Sequence, residues 1–276
     1  MFSLNCCGKM LLIEKPLVMG IINITDDSFY KESRFLNLDA VLIKATQIIN
    51  EGADILDIGG QSARPGSRRI SQEEELQRVV PVIDMLIKNF PGVLLSIDTY
   101  YAEVAAAAIH AGACIVNDIS AGELDKKMLH TVGSLGAPYI CMHMKGKPET
   151  MHLNIEYNNV VTEILDFFIA KIQECNDAGI KDIIIDPGFG FGKTIHHNFQ
   201  LLKNLEVFKM LEKPIMTGLS RKSSVYKTLH TDAENALNGT TVLNTLAIQN
   251  GASILRVHDV KEAREVVTLF EAYVKA

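Results

Sequence analysis

The sequence predicts an α/β fold of the (β/α)8 TIM-barrel class, built as a single domain, on three observations. Short apolar runs rich in β-branched residues alternate with longer amphipathic stretches along the whole chain, the pattern of repeated β/α units, and eight such runs can be counted. The runs are continuously apolar, as strands covered on both faces of a parallel sheet are. Polar residues gather at the exits of these runs. At 276 residues and 47% hydrophobic, the chain can bury the core one barrel needs. An open doubly wound sheet is the alternative arrangement of the same alternation.

Residues 1–14 read as an N-terminal extension ahead of the first unit. That unit pairs a strand over 17–24, with Asn23 near its exit, with a helix over 38–51, and Glu51-Gly52-Ala53 closes it. The second strand, 54–58, carries Asp57; its helix, 72–89, repeats Val79, Val80, Ile83, Leu86 and Ile87 at helical spacing. Strand 93–98 ends on Asp98 and leads to helix 100–111 and Ala111-Gly112-Ala113. Strand 114–118 ends on Asn117 and Asp118 before helix 124–135, and strand 138–143 ends on His143 before helix 158–178 and Ala178-Gly179-Ile180. Strand 182–186 delivers Asp186, followed by a glycine-rich turn and helix 198–211. Strand 214–219 exits through Ser220, Arg221 and Lys222, ahead of helix 234–250 and Asn250-Gly251-Ala252. Strand 253–257 carries Arg256, with His258 just beyond, and helix 260–273 ends the pattern. The four glycine junctions are where left-handed helix caps belong.

Polar strand exits matter because the C-terminal rim of such a barrel carries its chemistry. The bland reading of an Asp or Asn there is a cap for the next helix, which suits Asp118 taken alone but not the whole set. Two polar rim loops, 25–37 and 61–71, are long enough to be binding loops.

Bulk properties narrow the function. A net charge of −6, with no basic run, argues against a nucleic-acid surface. No stretch reaches the roughly 18 apolar residues a membrane span needs, and the N-terminus leaves no room for a signal peptide's apolar core, so a cytoplasmic protein is expected. Cys114 and Cys141 sit inside strand-like runs as small hydrophobes, and the five cysteines are assigned no redox or metal role. His196 and His197 are adjacent and cannot share a helix face, so catalytic zinc is not expected.

The segment Asp186-Pro-Gly-Phe-Gly-Phe-Gly-Lys193-Thr194 invites a nucleotide-loop reading and fails it. Only three residues separate Gly188 from Gly192 where a Walker A loop needs four, and G-x-G-x-G after the sixth strand is not the dinucleotide fingerprint. A carboxylate followed by close-approach glycines and by Phe189 and Phe191 instead suits a planar heterocycle. Asp98, Asn117 and Asp186 can converge on one ring that offers amino and ring N–H donors, such as a 2-amino-4-oxopyrimidine edge. Arg64, Arg221, Lys222, Arg256 and His258 stand against them and suit an anionic leaving group or a carboxylate; a solvated surface pair is the plain alternative for Arg221.

In order along nearly the whole chain come Met19-Gly-Ile-Ile-Asn-Ile-Thr25 with Asp27-Ser-Phe29, Asp57-Ile-Gly-Gly60, Ser62 with Arg64-Pro-Gly66, and Ser96-Ile-Asp-Thr99. Asn117-Asp-Ile119, Met142-His-Met144, the Asp186–Lys193 segment, Ser220-Arg-Lys-Ser223 and Arg256-Val-His-Asp259 follow. With these motifs the chain resembles the dihydropteroate synthase family. The resemblance implies condensation of (7,8-dihydropterin-6-yl)methyl diphosphate with 4-aminobenzoate to 7,8-dihydropteroate and diphosphate, with Mg2+, by a dissociative displacement. It assigns Asp98, Asn117, Asp186 and Lys222 to the pterin, with Ile119 and Met142 as apolar walls. It assigns Arg256, His258 and Asn23 to the diphosphate, Asn23 also meeting Mg2+, and Ser62, Arg64, Pro65, Phe191 and Ser223 with Lys222 to aminobenzoate. Asp98, Lys222, Arg256 and His258 are the catalytic set it implies, and a homodimer through late helices, 234–250 among them, is its expected assembly.

Three departures from the family pattern stand out. Asp26 replaces a proline in the first loop. Gln61-Ser62-Ala63 replaces Glu-Ser-Thr in the second, removing at Ala63 a hydroxyl worth about 0.5–1.5 kcal/mol of hydrogen bonding and shifting the expected affinity for sulfonamide mimics. Tyr100-Tyr101-Ala102 replaces Ser-Lys-Pro, with a new helix start and no ligand contact expected. Two other readings stay open: a corrinoid-linked methyltetrahydrofolate methyltransferase, and a pterin-binding homologue without turnover.

Overall fold

In a computed structural model the described residues are 1–24, 34–61, 69–146, 150–151, 153 and 155–276, without the side chains of 34–37. A hairpin of β1 (Phe2–Cys6) and β2 (Lys9–Ile13) comes first. Its two-residue turn, Cys7-Gly8, has φ of 52° and 78°, the doubly left-handed geometry that matches strand twist. Then follow β3 (Leu17–Asn23), α1 (Arg34–Asn50), β4 (Ile55–Gly59), α2 (Gln72–Asn89), β5 (Leu94–Asp98), α3 (Ala102–His110), β6 (Ile115–Asp118) and α4 (Met128–Leu135). The second half runs β7 (Tyr139–Met142), α5 (Val160–Asp177), β8 (Ile183–Asp186), α6 (Ile195–Lys203), β9 (Met216–Thr217), α7 (Ser223–Tyr226), α8 (Leu237–Gln249), β10 (Ile254–Val257) and α9 (Val260–Lys275).

The parallel sheet is ordered β8-β7-β6-β5-β4-β3-β10-β9, and a bridge between Ile185 and Ile215 joins its two ends. That closure makes it a barrel and disposes of the open-sheet alternative. All four junction glycines, 52, 112, 179 and 251, have positive φ. The seventh strand is shorter than expected: Pro214 has no N–H to give a ladder, and only Met216–Thr217 pair regularly. The expected helix over 198–211 divides into α6 and a 3-10 helix, Leu205–Leu211.

Strand alternation divides the core into layers. Outward residues (Val18, Leu56, Ile58, Leu95, Ile97, Val116, Ile185, Leu255) pack under the helices. Inward residues at the N-terminal end (Met19, Ile55, Ile115, Ile140, Ile184, Met216, Ile254) form a second cluster, closed by Leu4, Cys6 and Ile13 of the hairpin. The N-terminal extension is therefore a plug on the barrel's lower mouth, tied down by Asn5 N donating to Asp182 Oδ2 at 2.7 Å. One step up, the inward positions of β4, β5, β6, β8 and β10 turn polar, as Asp57, Ser96, Asn117, Asp186 and Arg256. Register aligns Asn23 with Gly59, Gly59 with Asp98 and Asp98 with Asn117, and it sets Met142 beside Asp186.

Candidate active site

Arg256, pointing inward from β10, needs partners to be tolerated in a barrel interior. It donates from Nε to Asp57 Oδ2 at 2.6 Å and from Nη2 to Asp98 Oδ2 at 2.5 Å. Asn117 Nδ2 donates to the same Asp57 oxygen at 3.0 Å. Burial works against the Arg256 charge, but Asp57 and Asp98 outweigh it and hold its pKa above the ordinary value. Burial pushes Asp98 up to about 7 against the pull of Arg256. Asp57, wholly buried, is the hub of this layer. In the sequence Asp57 is one more polar strand exit without an assigned role; an arginine on an inward position of another strand is the signal that a buried counter-ion must exist.

Asp186 is buried at the end of β8, and its Oδ1 accepts Gly188 N at 2.8 Å. Burial raises its pKa, while Lys222 and the Gly188 bond oppose the rise. A Cβ on Gly188 would lie 1.9 Å from the His143 carbonyl oxygen, at φ 71°, so only glycine lets the turn fold back under β7. The two phenylalanines separate: Phe189 is wholly buried in the core, correcting its reading as a ligand surface, while Phe191 stays half-buried at the site. Lys222 Nζ donates to the Phe189 carbonyl and sits 4.7 Å from the Phe191 ring centroid. Burial, opposed by Asp186, lowers Lys222 to about 8. Behind this turn the buried Lys193 Nζ lies 2.9 Å from His143 Nδ1 and donates to Phe191 O at 3.0 Å. Burial and Lys193 push His143 down to about 2. The neutral ring lies within hydrogen-bond distance of Lys193, and the pair braces the turn that carries Phe191. Neither residue was given a role from the sequence.

At the β9 and β10 exits, Ser220 Oγ accepts His258 N at 3.2 Å and stands 3.1 Å from His258 Nδ1. Its hydroxyl can donate to Nδ1, and a neutral ring so bonded keeps its proton on Nε2. Arg221 does not face the site: it grips Asp259 at 2.9 and 2.8 Å and the Ala233 carbonyl at 2.8 Å, so it is a loop brace. Asp118 is another brace, buried outside the barrel and accepting from Ser120, Gly122 and Tyr139. Ile119 and Met142 form an apolar cluster with Tyr100, against which Phe191 packs. Ser223 opens α7 and is half-buried. Asn23 is exposed on the rim beside Gly59. Ser62, Arg64 and Pro65, with Asp26 and Ala63, lie outside the described residues. Among the described residues no group of three or more His, Cys, Asp or Glu could hold a metal, and no helix is long and apolar enough to cross a membrane.

Asp98, Asn117 and Asp186 thus share the C-terminal mouth of the barrel with Lys222 and Arg256, and His258 stands exposed at the exit of β10. Residues 19–258 match the family described as pterin binding enzyme. The chain is 40% identical over 271 residues to the dihydropteroate synthase of Haemophilus influenzae, covering 98% of each protein. Its structure resembles that of the Yersinia pestis dihydropteroate synthase in complex with a sulfonamide drug, with a TM-score of 0.92 at 40% identity over 99% of both chains. It also resembles the Xanthomonas albilineans dihydropteroate synthase in complex with 7,8-dihydropteroate, with a TM-score of 0.88 at 36% identity over 100% of both.

Proposed function

This chain belongs to the pterin-binding enzyme family, within it to the dihydropteroate synthases, and we propose that its rim residues divide between two substrates and a leaving diphosphate. The chain is a transferase of folate biosynthesis, joining (7,8-dihydropterin-6-yl)methyl diphosphate to 4-aminobenzoate. The observation that carries the division is the facing of Asp98, Asn117 and Asp186 by Lys222 and Arg256 in one mouth.

Asp98, Asn117 and Asp186 accept from the pterin's amino and ring N–H groups, and Asn117 also donates. Ile119 and Met142 wall the ring. A ligand with several N–H donors supplies what two buried carboxylates lack. Lys222 stands between the pterin and the aminobenzoate group, which Phe191, Ser223 and, outside the described residues, Ser62, Arg64 and Pro65 receive. Arg256 and His258 face the diphosphate; Arg256, held by Asp57 and Asp98, is pre-oriented and pays little to order on binding. The reaction is a dissociative displacement in which diphosphate departs, positive charge develops on the pterin methylene, and the arylamine attacks. Asp98 and Asp186 then stabilise the cation, and His258 Nε2 and Arg256 the leaving anion.

Asn23 is suited to hold Mg2+. It offers a hard oxygen donor on the rim, and the missing side chain of Gly59 leaves room beside it: a Cβ there would sit 3.3 Å from Asn23 Oδ1 and 3.7 Å from Asp98 Oδ2. When bound, the ion would withdraw charge from the diphosphate. A homodimer and a cytoplasmic location complete the reading. Exposed apolar residues on α8 support the first. Five free cysteines, four of them buried, support the second.

The test is conversion by the purified protein of the two substrates, with product and diphosphate quantified before and after chelation of divalent ions. Equimolar dihydropteroate and diphosphate, restored by Mg2+ after chelation, is the expected result. Binding of the pterin without diphosphate release would instead identify a homologue without turnover.

A further inference from the structure

Where the family pattern has Ser-Lys after Asp98-Thr99, this chain has Tyr100-Tyr101, read from the sequence as changing a helix start without touching ligand. The structure gives the pair more to do. The Tyr100 ring is 7% exposed and packs with Ile119 and Met142 in one cluster, on which Tyr101, Leu124, Met144 and Phe191 also pack. Its hydroxyl leaves that cluster and donates to Gln61 Oε1 at 2.8 Å. Gln61 Nε2 in turn donates to Glu75 Oε2, also at 2.8 Å, and Glu75 is wholly buried on α2.

Gln61 is itself a departure, since the family pattern has Glu there. Its amide is the residue type this chain of bonds requires: it accepts from a tyrosine with one end and donates to a buried carboxylate with the other, and a second carboxylate could not donate. The two departures therefore fit each other. The other flank of residues 62–68 meets the same pair. The Arg69 guanidinium lies 4.8 Å from the Tyr100 ring centroid and 5.3 Å from that of Tyr101. Arg69 Nε donates to Tyr101 Oη at 3.1 Å, and that hydroxyl donates to the Ile70 carbonyl at 3.0 Å.

We propose that Tyr100 is a specificity-determining residue of this synthase: its ring completes the apolar wall of the pterin site with Ile119 and Met142, and its hydroxyl positions Gln61. The inference rests on the reading of Ile119 and Met142 as the pterin wall. Ring and hydroxyl then serve different substrates, because Gln61 leads into the segment carrying Ser62, Arg64 and Pro65.

Two substitutions separate the roles. Tyr100→Phe keeps the ring and removes one neutral hydrogen bond, so the KM for 4-aminobenzoate rises about three- to tenfold while direct binding of the pterin diphosphate, followed by pterin fluorescence, changes less than about twofold. Tyr100→Ser removes the ring as well and weakens pterin binding by about two- to tenfold. Combining Tyr100→Phe with Gln61→Ala raises the aminobenzoate KM no further than the worse single change, since both cut the same bond. Ile119→Ala is the control on the underlying reading. If Ile119→Ala weakens pterin binding and Tyr100→Ser does not, Tyr100 is no part of the wall. If neither weakens it, the wall reading itself is wrong. Should Tyr100→Ser fail to fold, Tyr100→Phe still decides: an unchanged aminobenzoate KM, or both substrates affected alike, overturns the proposal.

Discussion

Asp186 sits at the end of β8 with one backbone N–H bonded to its carboxylate, too little to offset loss of water around a charge. Its pKa is accordingly raised above the ordinary aspartate value, with burial the largest cause. For a carboxyl raised in the folded state, the folded protein binds more protons than the unfolded chain as pH rises past the ordinary value, so each step of that titration costs stability. The penalty is complete above the folded pKa and vanishes as pH falls toward the unfolded one. Asp186→Asn keeps the acceptor for Gly188 and removes the charge. It should therefore melt higher than the parent protein in neutral and alkaline buffer, lose that advantage in acid, and form product at least about 100-fold more slowly, as expected when one preorganised electrostatic group is removed. Calorimetry across pH, with the product assay, checks both halves; an unchanged turnover would remove Asp186 from the site. Such residues were legible because a polar side chain closing an apolar run is conspicuous in a sequence. Asp57 is as conspicuous, but its role as counter-ion was not legible, because its partner Arg256 is 199 positions away and only closure of the barrel brings the two together.

Among the elements, helices with strong periodicity were readable almost to the residue, α2 at Gln72–Asn89 being one. The β1–β2 hairpin was not, because only Leu4, Cys6 and Ile13 of its ten strand residues are buried. Three buried side chains give no pattern that distinguishes a short strand from a loop. The short α7 was missed for the same reason, four residues being too few to display a period. Nothing local reveals that the hairpin completes the barrel's lower core. Leu4→Ala should cost about 2–5 kcal/mol by leaving a cavity under Ile115, Ile140 and Ile184, lowering the melting temperature by roughly 5–15 °C. The plug lies at the opposite mouth from the site, so both KM values should stay as they were at temperatures where the variant is folded. A melting temperature within a degree of the parent protein would show that the hairpin merely rests on the barrel.

At the scale of the whole molecule, the fold class was legible because eight repeats of one unit leave few alternatives, and closure between β8 and β9 decided between barrel and open sheet. Assembly is less legible, since surface helices reveal only what they leave uncovered. On α8, Val242 is 51% and Leu246 40% exposed, and on the neighbouring α9, Leu269 is 71% and Tyr273 76% exposed. A helix of α8's length spans about 20 Å, too little alone for the roughly 1,200–2,000 Å² a stable interface buries, so a dimer seated there must use α9 as well. The interface would also bear on the active site. Thr240 of α8 accepts Arg221 N at 3.0 Å, and Arg221 is the brace immediately before Lys222. Sedimentation equilibrium should accordingly give twice the chain mass, and Val242→Glu with Leu246→Glu should give the monomer, because two facing copies would each bury unpaired carboxylates. A parent protein that sediments as a monomer, or a double variant that stays dimeric, would move the interface off α8. If the monomeric variant also raises the KM for 4-aminobenzoate, the path from α8 through Thr240 and Arg221 to Lys222 is the connection between assembly and site.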